Sequence, residues 1–178
     1  FAEHGDIDTP ANIGAGAALK ITPKFTVAMD VTRTYYTKVR SIANTGPNTG
    51  AGNLFPDSKA VNGLGEDAGL GFGWRDQTVY KLGVNYEYNS KWTFRGGWNY
   101  GESPIKQDHD IAFNIVAPAN TQHHATLGFT NKLDKNMELN FAYMHAFAFT
   151  QTGPTYIGGE GTIKMSQNSF GLGLGFAF

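Results

Sequence analysis

Trp74-Arg75-Asp76-Gln77-Thr78-Val79-Tyr80-Lys81-Leu82-Gly83-Val84-Asn85-Tyr86-Glu87-Tyr88 and, after Asn89-Ser90-Lys91, Trp92-Thr93-Phe94-Arg95-Gly96-Gly97-Trp98-Asn99-Tyr100-Gly101 form the stretch that decides the fold. In the first segment the even positions Trp74, Tyr80, Leu82, Val84, Tyr86 and Tyr88 are apolar or aromatic. The odd positions are Arg75, Gln77, Val79, Lys81, Gly83, Asn85 and Glu87. In the second, Trp92, Phe94, Trp98 and Tyr100 alternate with Thr93, Arg95, Gly97 and Asn99. A period of two places successive side chains on opposite faces of a strand. One face of this pair is greasy and the other is wet or empty.

The same alternation recurs outward from this pair. It is seen in Ile13, Ala15, Ala17, Leu19, Ile21 and in Phe25, Val27, Met29, Val31. It returns in Ala125, Leu127, Phe129, in Met137, Leu139, Phe141, Tyr143, Phe147, Phe149, and in Phe170, Leu172, Leu174, Phe176, Phe178. Seven strands are expected, at about 11–22, 24–42, 74–88, 91–104, 122–133, 137–151 and 162–178. Alternation of this kind also fits a half-buried soluble sheet. Aromatics at the strand ends of the apolar face favour a transmembrane antiparallel β-barrel, whose outer surface carries such girdles.

Composition agrees. The chain has 178 residues, 23 of them Gly, no Cys, and 14 Lys+Arg against 15 Asp+Glu. Charged residues make up 16%, well short of the usual quarter. A net charge of −1 offers no field to gather nucleic acid, and the absence of Cys excludes a disulfide framework and thiolate metal sites. The most apolar stretch, Phe170 to Phe178, is far too short for a spanning helix, which needs roughly 20 residues.

Short turns at Thr22-Pro23-Lys24, Asn89-Ser90-Lys91 and Leu133-Asp134-Lys135-Asn136 alternate with long connections at roughly 43–73, 105–121 and 152–161. Outer-membrane barrels keep short turns on the periplasmic side and long loops outside, which puts residues 1–10 in an external loop. Seven is odd, while single-chain bacterial barrels use even numbers, and an open sheet leaves unpaired edges in hydrocarbon. The expected unit is therefore the C-terminal half of a larger, multi-pass outer-membrane barrel.

Laid out this way, the second half of the chain resembles the C-terminal region of the FadL family, outer-membrane transporters of long-chain fatty acids and related hydrophobic compounds. The resemblance rests on Gly73-Trp74-Arg75-Asp76, Leu82-Gly83-Val84-Asn85-Tyr86 and Trp92-Thr93-Phe94-Arg95-Gly96-Gly97 with Ser103-Pro104-Ile105. It continues in Asn114-Ile115-Val116-Ala117-Pro118, His124-Ala125-Thr126-Leu127-Gly128 and the closing Phe176-Ala177-Phe178. It covers about residues 70–178. It implies a 14-stranded barrel with an N-terminal plug and a lateral gap near an early strand, both outside this sequence. The implied partners are a fatty acid or hydrocarbon, the N-terminal half of the barrel in the same or another chain, and outer-membrane lipid and lipopolysaccharide.

Candidate ligand contacts follow from the inward parity. Arg75, at the outer end of its strand, is placed to pair with a fatty acid carboxylate, and Lys81 and Arg95 are inward cations deeper down. The alternative for all three is internal pairing with Asp30, Asp76, Glu87 or Glu138. Met144, Ile163 and Met165 point inward near the external end, where adaptable apolar side chains suit variable guests. The long loops hold Leu54, Phe55, Pro56, Leu64, Leu70, Phe72, Ile111, Phe113, Ile115 and Val116, of which Phe55 and Phe113 are candidates for ligand capture; the alternative is loop self-packing over the barrel mouth.

Arg33 falls on the outward parity, where a charge at mid-bilayer costs about 2–4 kcal/mol. It belongs near the external interface, or a bulge turns it inward. His145 poses the same question.

His4, His109, His123, His124 and His145 stand at no spacing diagnostic of a hydrolase or a metal site. Neither Asp108-His109-Asp110 nor His123-His124 presents a recognised ligand pattern. No catalytic residue, metal or cofactor is expected. The rival readings are a structural or adhesive barrel and a polar-solute porin.

Overall fold

A computed structural model of the protein describes residues 8–44, 64–65, 71–106, 111–155 and 158–177. Seven strands form one antiparallel sheet in sequence order: β1 Asn12–Thr22, β2 Phe25–Thr34, β3 Gln77–Glu87, β4 Trp92–Gly101, β5 His123–Lys132, β6 Met137–Pro154 and β7 Glu160–Phe176. The first and last strands do not pair, so the sheet is part of a barrel and not a closed one. A short helix α1, Arg40–Ala43, and two 3-10 turns, Tyr36–Lys38 and Ala112–Ile115, lie in the external connections.

The alternation holds in three dimensions. Leu172 is 76% exposed and Phe170 74%, and most of the other large exposed apolar side chains share their parity across the sheet. In water such a surface is an aggregation hazard; in hydrocarbon it is the solvated face. On β6 it runs from Met137 to Phe147, about 33 Å at ~3.3 Å per residue. At the ~40° tilt common to such barrels the height is about 25 Å, that of the apolar band.

The inner face is made of small residues set against polar ones. A Cβ on Gly16 would overlap the Asp30 carboxylate, and one on Gly97 would stand 2.7 Å from Thr126 Oγ1. At these two positions glycine makes room for an inward polar neighbour.

Four features differ from the sequence expectation. The strand expected over 24–42 ends at Thr34, because Asp76 Oδ1 accepts from both the amide (3.0 Å) and the hydroxyl (2.7 Å) of Thr37 and draws the chain out of the sheet. The strand expected from 74 starts at Gln77, with Trp74 outside it in an isolated bridge to Ile105. Gly73, at φ +68°, breaks the extended run just before it. The connection expected at 152–161 is no long loop: β6 and β7 continue to Pro154 and Glu160, leaving 155–159 between them.

Fourth, a bulge between Ala146 and Phe149 shifts the β6–β7 register by one. Phe149, expected on the lipid side, pairs with Met165 and shares the inner face with buried Gln151 and Ile163. Beyond the bulge the outward positions are Thr150, Thr152, Thr162 and Lys164, so this hairpin leaves the apolar band and projects outside.

Arg33 meets no bulge. The β1–β2 and β2–β3 registers run unbroken past it, and it stays outward at the external end. His145 also precedes the bulge and stays outward, its Nδ1 2.8 Å from Asn168 Oδ1, which accepts from Tyr143 Oη at 2.8 Å.

Candidate functional site: the inner face and its external cap

Antiparallel pairing brings inward side chains of β4 to β7 together around a hollow of about 720 Å³. Its inward residues include Thr126, Asn140, Ala142, Met144, Ser169 and Gly173, with Arg95 at one side. A second hollow of about 400 Å³ adjoins it over β2 to β5, where Asp30, Lys81, Asn85 and Asn99 join Arg95. Arg95 Nη1 donates to Thr130 Oγ1 (2.8 Å), Thr130 Oγ1 to Asn140 Oδ1 (2.6 Å), and Asn140 Nδ2 to Glu138 Oε1 (3.0 Å). This chain spends part of the Arg95 guanidinium on the wall. Lys81 stands opposite Asp30 on β2 and Asn99 on β4.

Above these hollows the external connections fold into a small apolar core. Ile105, Ile111 and Ile163 are buried together, with Trp74 packed on them. Trp74 meets Tyr36 edge-on at 5.2 Å and Phe72 at 5.7 Å, and Phe72 meets Phe113 at 5.1 Å. Such pairs add to the area they bury. Burial holds the Tyr36 phenol above its ordinary pKa.

Buried amides fasten this cap to the sheet. Trp74 Nε1 donates to Asn114 Oδ1 (2.6 Å), and Asn114 Nδ2 to the Phe72 carbonyl (3.1 Å). Asn120 Nδ2 donates to the carbonyls of Phe149 (3.0 Å) and Ile163 (3.4 Å). Gln151 Oε1 accepts from Ser103 Oγ (2.7 Å), while its Nε2 donates to the Ile105 carbonyl (3.1 Å). These four polar residues, Ser103, Asn114, Asn120 and Gln151, went unremarked as site residues in the sequence. Ser103 and Asn114 fall in segments already picked out by the resemblance, whereas nothing adjacent in the sequence marks Asn120, between Ala119 and Thr121, or Gln151, between Thr150 and Thr152.

The expected site residues divide among these two regions. Met144 lines the larger hollow, and Met165 lies on the inner face opposite Phe149. Ile163 belongs to the cap core at 6% exposure, so it supports a wall and does not form an open one. Phe113 is part of the aromatic stack, whereas Phe55, Leu54, Pro56 and Leu70 lie outside the described residues.

Arg75 is the main departure. Its Nε and Nη2 donate to the Ser103 carbonyl at 3.2 and 3.0 Å, and Nη2 lies 2.8 Å from Glu102 Oε1. Internal pairing describes it, with Glu102 as a partner the sequence reading had not included. Both Arg75 and Glu102 sit at the external mouth, more than two-fifths exposed.

His123 and His124 occupy successive strand positions and face opposite sides. His123 stacks on Tyr100 at 4.6 Å on the outer face, while His124 approaches Thr121 Oγ1 at 3.4 Å. They cannot share a metal ion in this arrangement, and Asp108-His109-Asp110 lies outside the described residues. Among the described residues no group of three or more His, Asp or Glu side chains is placed to hold a metal. No helix of the described residues is long and apolar enough to cross a membrane.

The arrangement is a lipid-facing sheet with a hollow, mostly uncharged inner wall under an apolar cap. Three comparisons with known proteins bear on it. The family described as outer membrane protein transport protein (OMPP1/FadL/TodX) matches residues 4–176. A long-chain fatty acid transport protein of Escherichia coli O6:H1 (strain CFT073) is 30% identical over 116 residues, 60% of this chain and 24% of that protein. Among solved structures, the toluene transporter TodX of Pseudomonas putida superposes with a TM-score of 0.63 at 21% identity, covering 97% of this chain and 36% of that one. The CymD monoaromatic hydrocarbon channel gives 0.58 at 20% identity, covering 97% and 37%. At those identities the structural likeness establishes the fold. The chain spans about a quarter of the curated relative and little more than a third of the two channels.

Proposed function

The chain belongs to the OMPP1/FadL/TodX family of outer-membrane transport proteins, and from that premise we propose that it forms the inner wall and external cap of a barrel that admits hydrophobic small molecules, fatty acids or hydrocarbons, across the outer membrane. The observation that carries this reading is the inner-face hollow of about 720 Å³, whose inward wall is Gly, Ala, Thr, Ser, Asn and Met with Arg95 as the charged residue at one side. That volume lies within the ~300–1,000 Å³ of small-molecule sites. The named activities of the relatives, fatty acid transport and passage of toluene or monoaromatic hydrocarbon, are of the same chemical kind.

In this reading a ligand leaves water on the apolar cap near Phe72 and Phe113, then descends to the hollow beside Met144. Met165 flanks its path. A carboxylate, where the ligand has one, is met by Lys81, opposite Asp30 and Asn99, or two rows deeper by Arg95 at the hydrogen-bonded end of the wall, since either cation can pair with it. Arg75 anchors the 102–106 segment through Ser103 and Glu102. The open edges at β1 and β7 are completed by further strands, since unpaired backbone in hydrocarbon costs several kcal/mol per group, and a plug within the closed lumen times release. No covalent step or cofactor is involved.

A structural barrel would fill its lumen with ion pairs. Here Arg33–Asp76 and Arg75–Glu102 both sit at the external end, away from the hollows. Uptake of labelled fatty acid and of toluene by vesicles carrying the full-length protein tests the reading. Gly173→Trp, which fills the hollow, is expected to cut uptake at least tenfold, while Gly173→Ala leaves it unchanged because the new Cβ meets only Asn140 Cβ at 4.0 Å. Unaltered uptake in the Trp variant, or steady ion conductance in planar bilayers, would overturn it.

A further inference from the structure

The outer face carries a feature that transport does not use. Across β1 to β4, Ala15, Met29, Val31, Tyr80, Leu82 and Trp98 border an outward trough of about 520 Å³, closed at one side by Tyr100. The register explains it. Ala15, Val31, Tyr80 and Tyr100 form one row across the sheet, and Ala17, Met29, Leu82 and Trp98 form the next. Alanines at 15 and 17 leave a low floor beside the tall aromatic wall of β3 and β4.

Directly above, one row nearer the external end, stand Ile13, Arg33 and Thr78. A row is two residues, about 6.6 Å along the strand. Arg33 is therefore a cation at the upper rim of an apolar trough, where hydrocarbon gives way to head groups.

The guanidinium is held in place. Nη1 donates to Thr78 Oγ1 (3.2 Å), Nη2 reaches Asp76 Oδ2 (3.4 Å), and the group lies over the Tyr35 ring at 5.7 Å. Asp76 is itself fixed by Thr37. These contacts engage two of the five N–H donors of an arginine. The Arg33 side chain is 50% exposed and the Asp76 carboxylate only 18%, so the cation is the more accessible member of the pair.

We propose that this face binds one molecule of lipid A, the phosphorylated anchor of lipopolysaccharide, with an acyl chain in the trough and a phosphate on Arg33. Planar guanidinium groups favour phosphate through paired hydrogen bonds, and the neighbouring tyrosines Tyr80 and Tyr100 suit the interfacial level. The site lies at the long-loop end, hence in the outer leaflet, where lipid A is the phosphorylated lipid. The inference is independent of what the lumen carries.

Native mass spectrometry of the detergent-purified full-length protein, titrated with bis-phosphorylated lipid A, tests it. One lipid A is expected to stay bound, with dephosphorylated lipid A held at least tenfold more weakly. Arg33→Gln should bind lipid A at least tenfold more weakly and no longer distinguish the two forms, with Arg33→Lys intermediate. Ala15→Phe, which fills the trough, should weaken both forms. Should Ala15→Phe fail to fold, as judged by unboiled gel mobility, the phosphate comparison on the unaltered protein and Arg33→Gln still decide. Equal binding by Arg33→Gln and the parent, or equal retention of phosphatidylglycerol and lipid A, would overturn the proposal.

Discussion

Gln151→Leu isolates what holds the external cap to the sheet. Gln151 is 4% exposed and joins β6 to the 103–105 segment through Ser103 Oγ at 2.7 Å and the Ile105 carbonyl at 3.1 Å. Leucine fills a similar volume but leaves the Ser103 hydroxyl proton and the Ile105 carbonyl unpaired, and Ser103 and Ile105 are both nearly inaccessible. Each stranded group costs about 1–3 kcal/mol. Leucine recovers about 1 kcal/mol through added apolar burial, and the net loss is about 1–5 kcal/mol of local stability. At ~1.4 kcal/mol per tenfold this is at least about fivefold faster opening, and about 150-fold at the middle of that range.

Hydrogen exchange reads that opening. The amides to follow are Ile105, bonded to Ser103 Oγ, Arg75, bonded to the Pro104 carbonyl, and Ile111, bonded to the Pro154 carbonyl. Exchange there should accelerate while the β2–β5 ladders stay protected, since Gln151 takes no part in their pairing. Adding Ser103→Ala removes the stranded hydroxyl but also the acceptor of the Ile105 amide, so it should give back little of the loss, and the double variant, with two stranded groups and not four, costs less than the sum of the singles. Exchange within about threefold of the parent, or protection lost evenly across all seven strands, would refute the reasoning.

The remaining predictions address the wall, the mouth and the charge network. Lys81→Gln should lower binding of fatty acid several-fold and leave toluene unchanged. Arg75→Gln, whose donors serve Ser103 and Glu102, should reduce binding of both to a similar degree; equilibrium binding of the two ligands to each variant checks this. Gly97→Val forces a Cβ to within 2.7 Å of Thr126 Oγ1 and 3.3 Å of the Leu82 carbonyl, so refolding yield should fall, whereas Gly83→Ala, whose nearest neighbour is 4.0 Å away, should refold normally. The Asp76 carboxyl is held below its ordinary pKa first by the Thr37 hydroxyl and amide, and then by Arg33. Because the folded value is depressed, its stabilising effect is complete above the unfolded pKa of ~3.9 and is lost as pH falls through the folded one. Protection of the Thr37 amide should follow that course, and Thr37→Val should move the Asp76 titration upward, as NMR of the carboxyl would show.

How much of this was legible in the sequence depended on the range of the interactions involved. The two faces of each strand could be read directly, because the pleat of an extended backbone fixes a period of two whatever lies around it. Aromatics at 80, 86, 92, 98 and 100 marked the lipid side before any partner was known, whereas Trp74, of the same parity, turned out to pack in the external cap core. The tight turns after Thr22, Tyr88 and Leu133 were equally local. The end of β2 was not, since it depends on Asp76 capturing Thr37 from across a long connection.

The sequence by itself determined an outer-membrane sheet, its lipid and lumenal faces, and the family, because alternation and turn chemistry are written residue by residue. Only the tertiary structure decided that a bulge turns Phe149 inward, that Glu102 and Ser103 take the donors of Arg75, and that Trp74, Ile105, Ile111 and Ile163 meet in one core. It also set Arg33 above a trough floored by alanines. Each of these depends on registers and loop paths that bring distant segments together, and a pattern with a period of two carries no information about which distant segments those are.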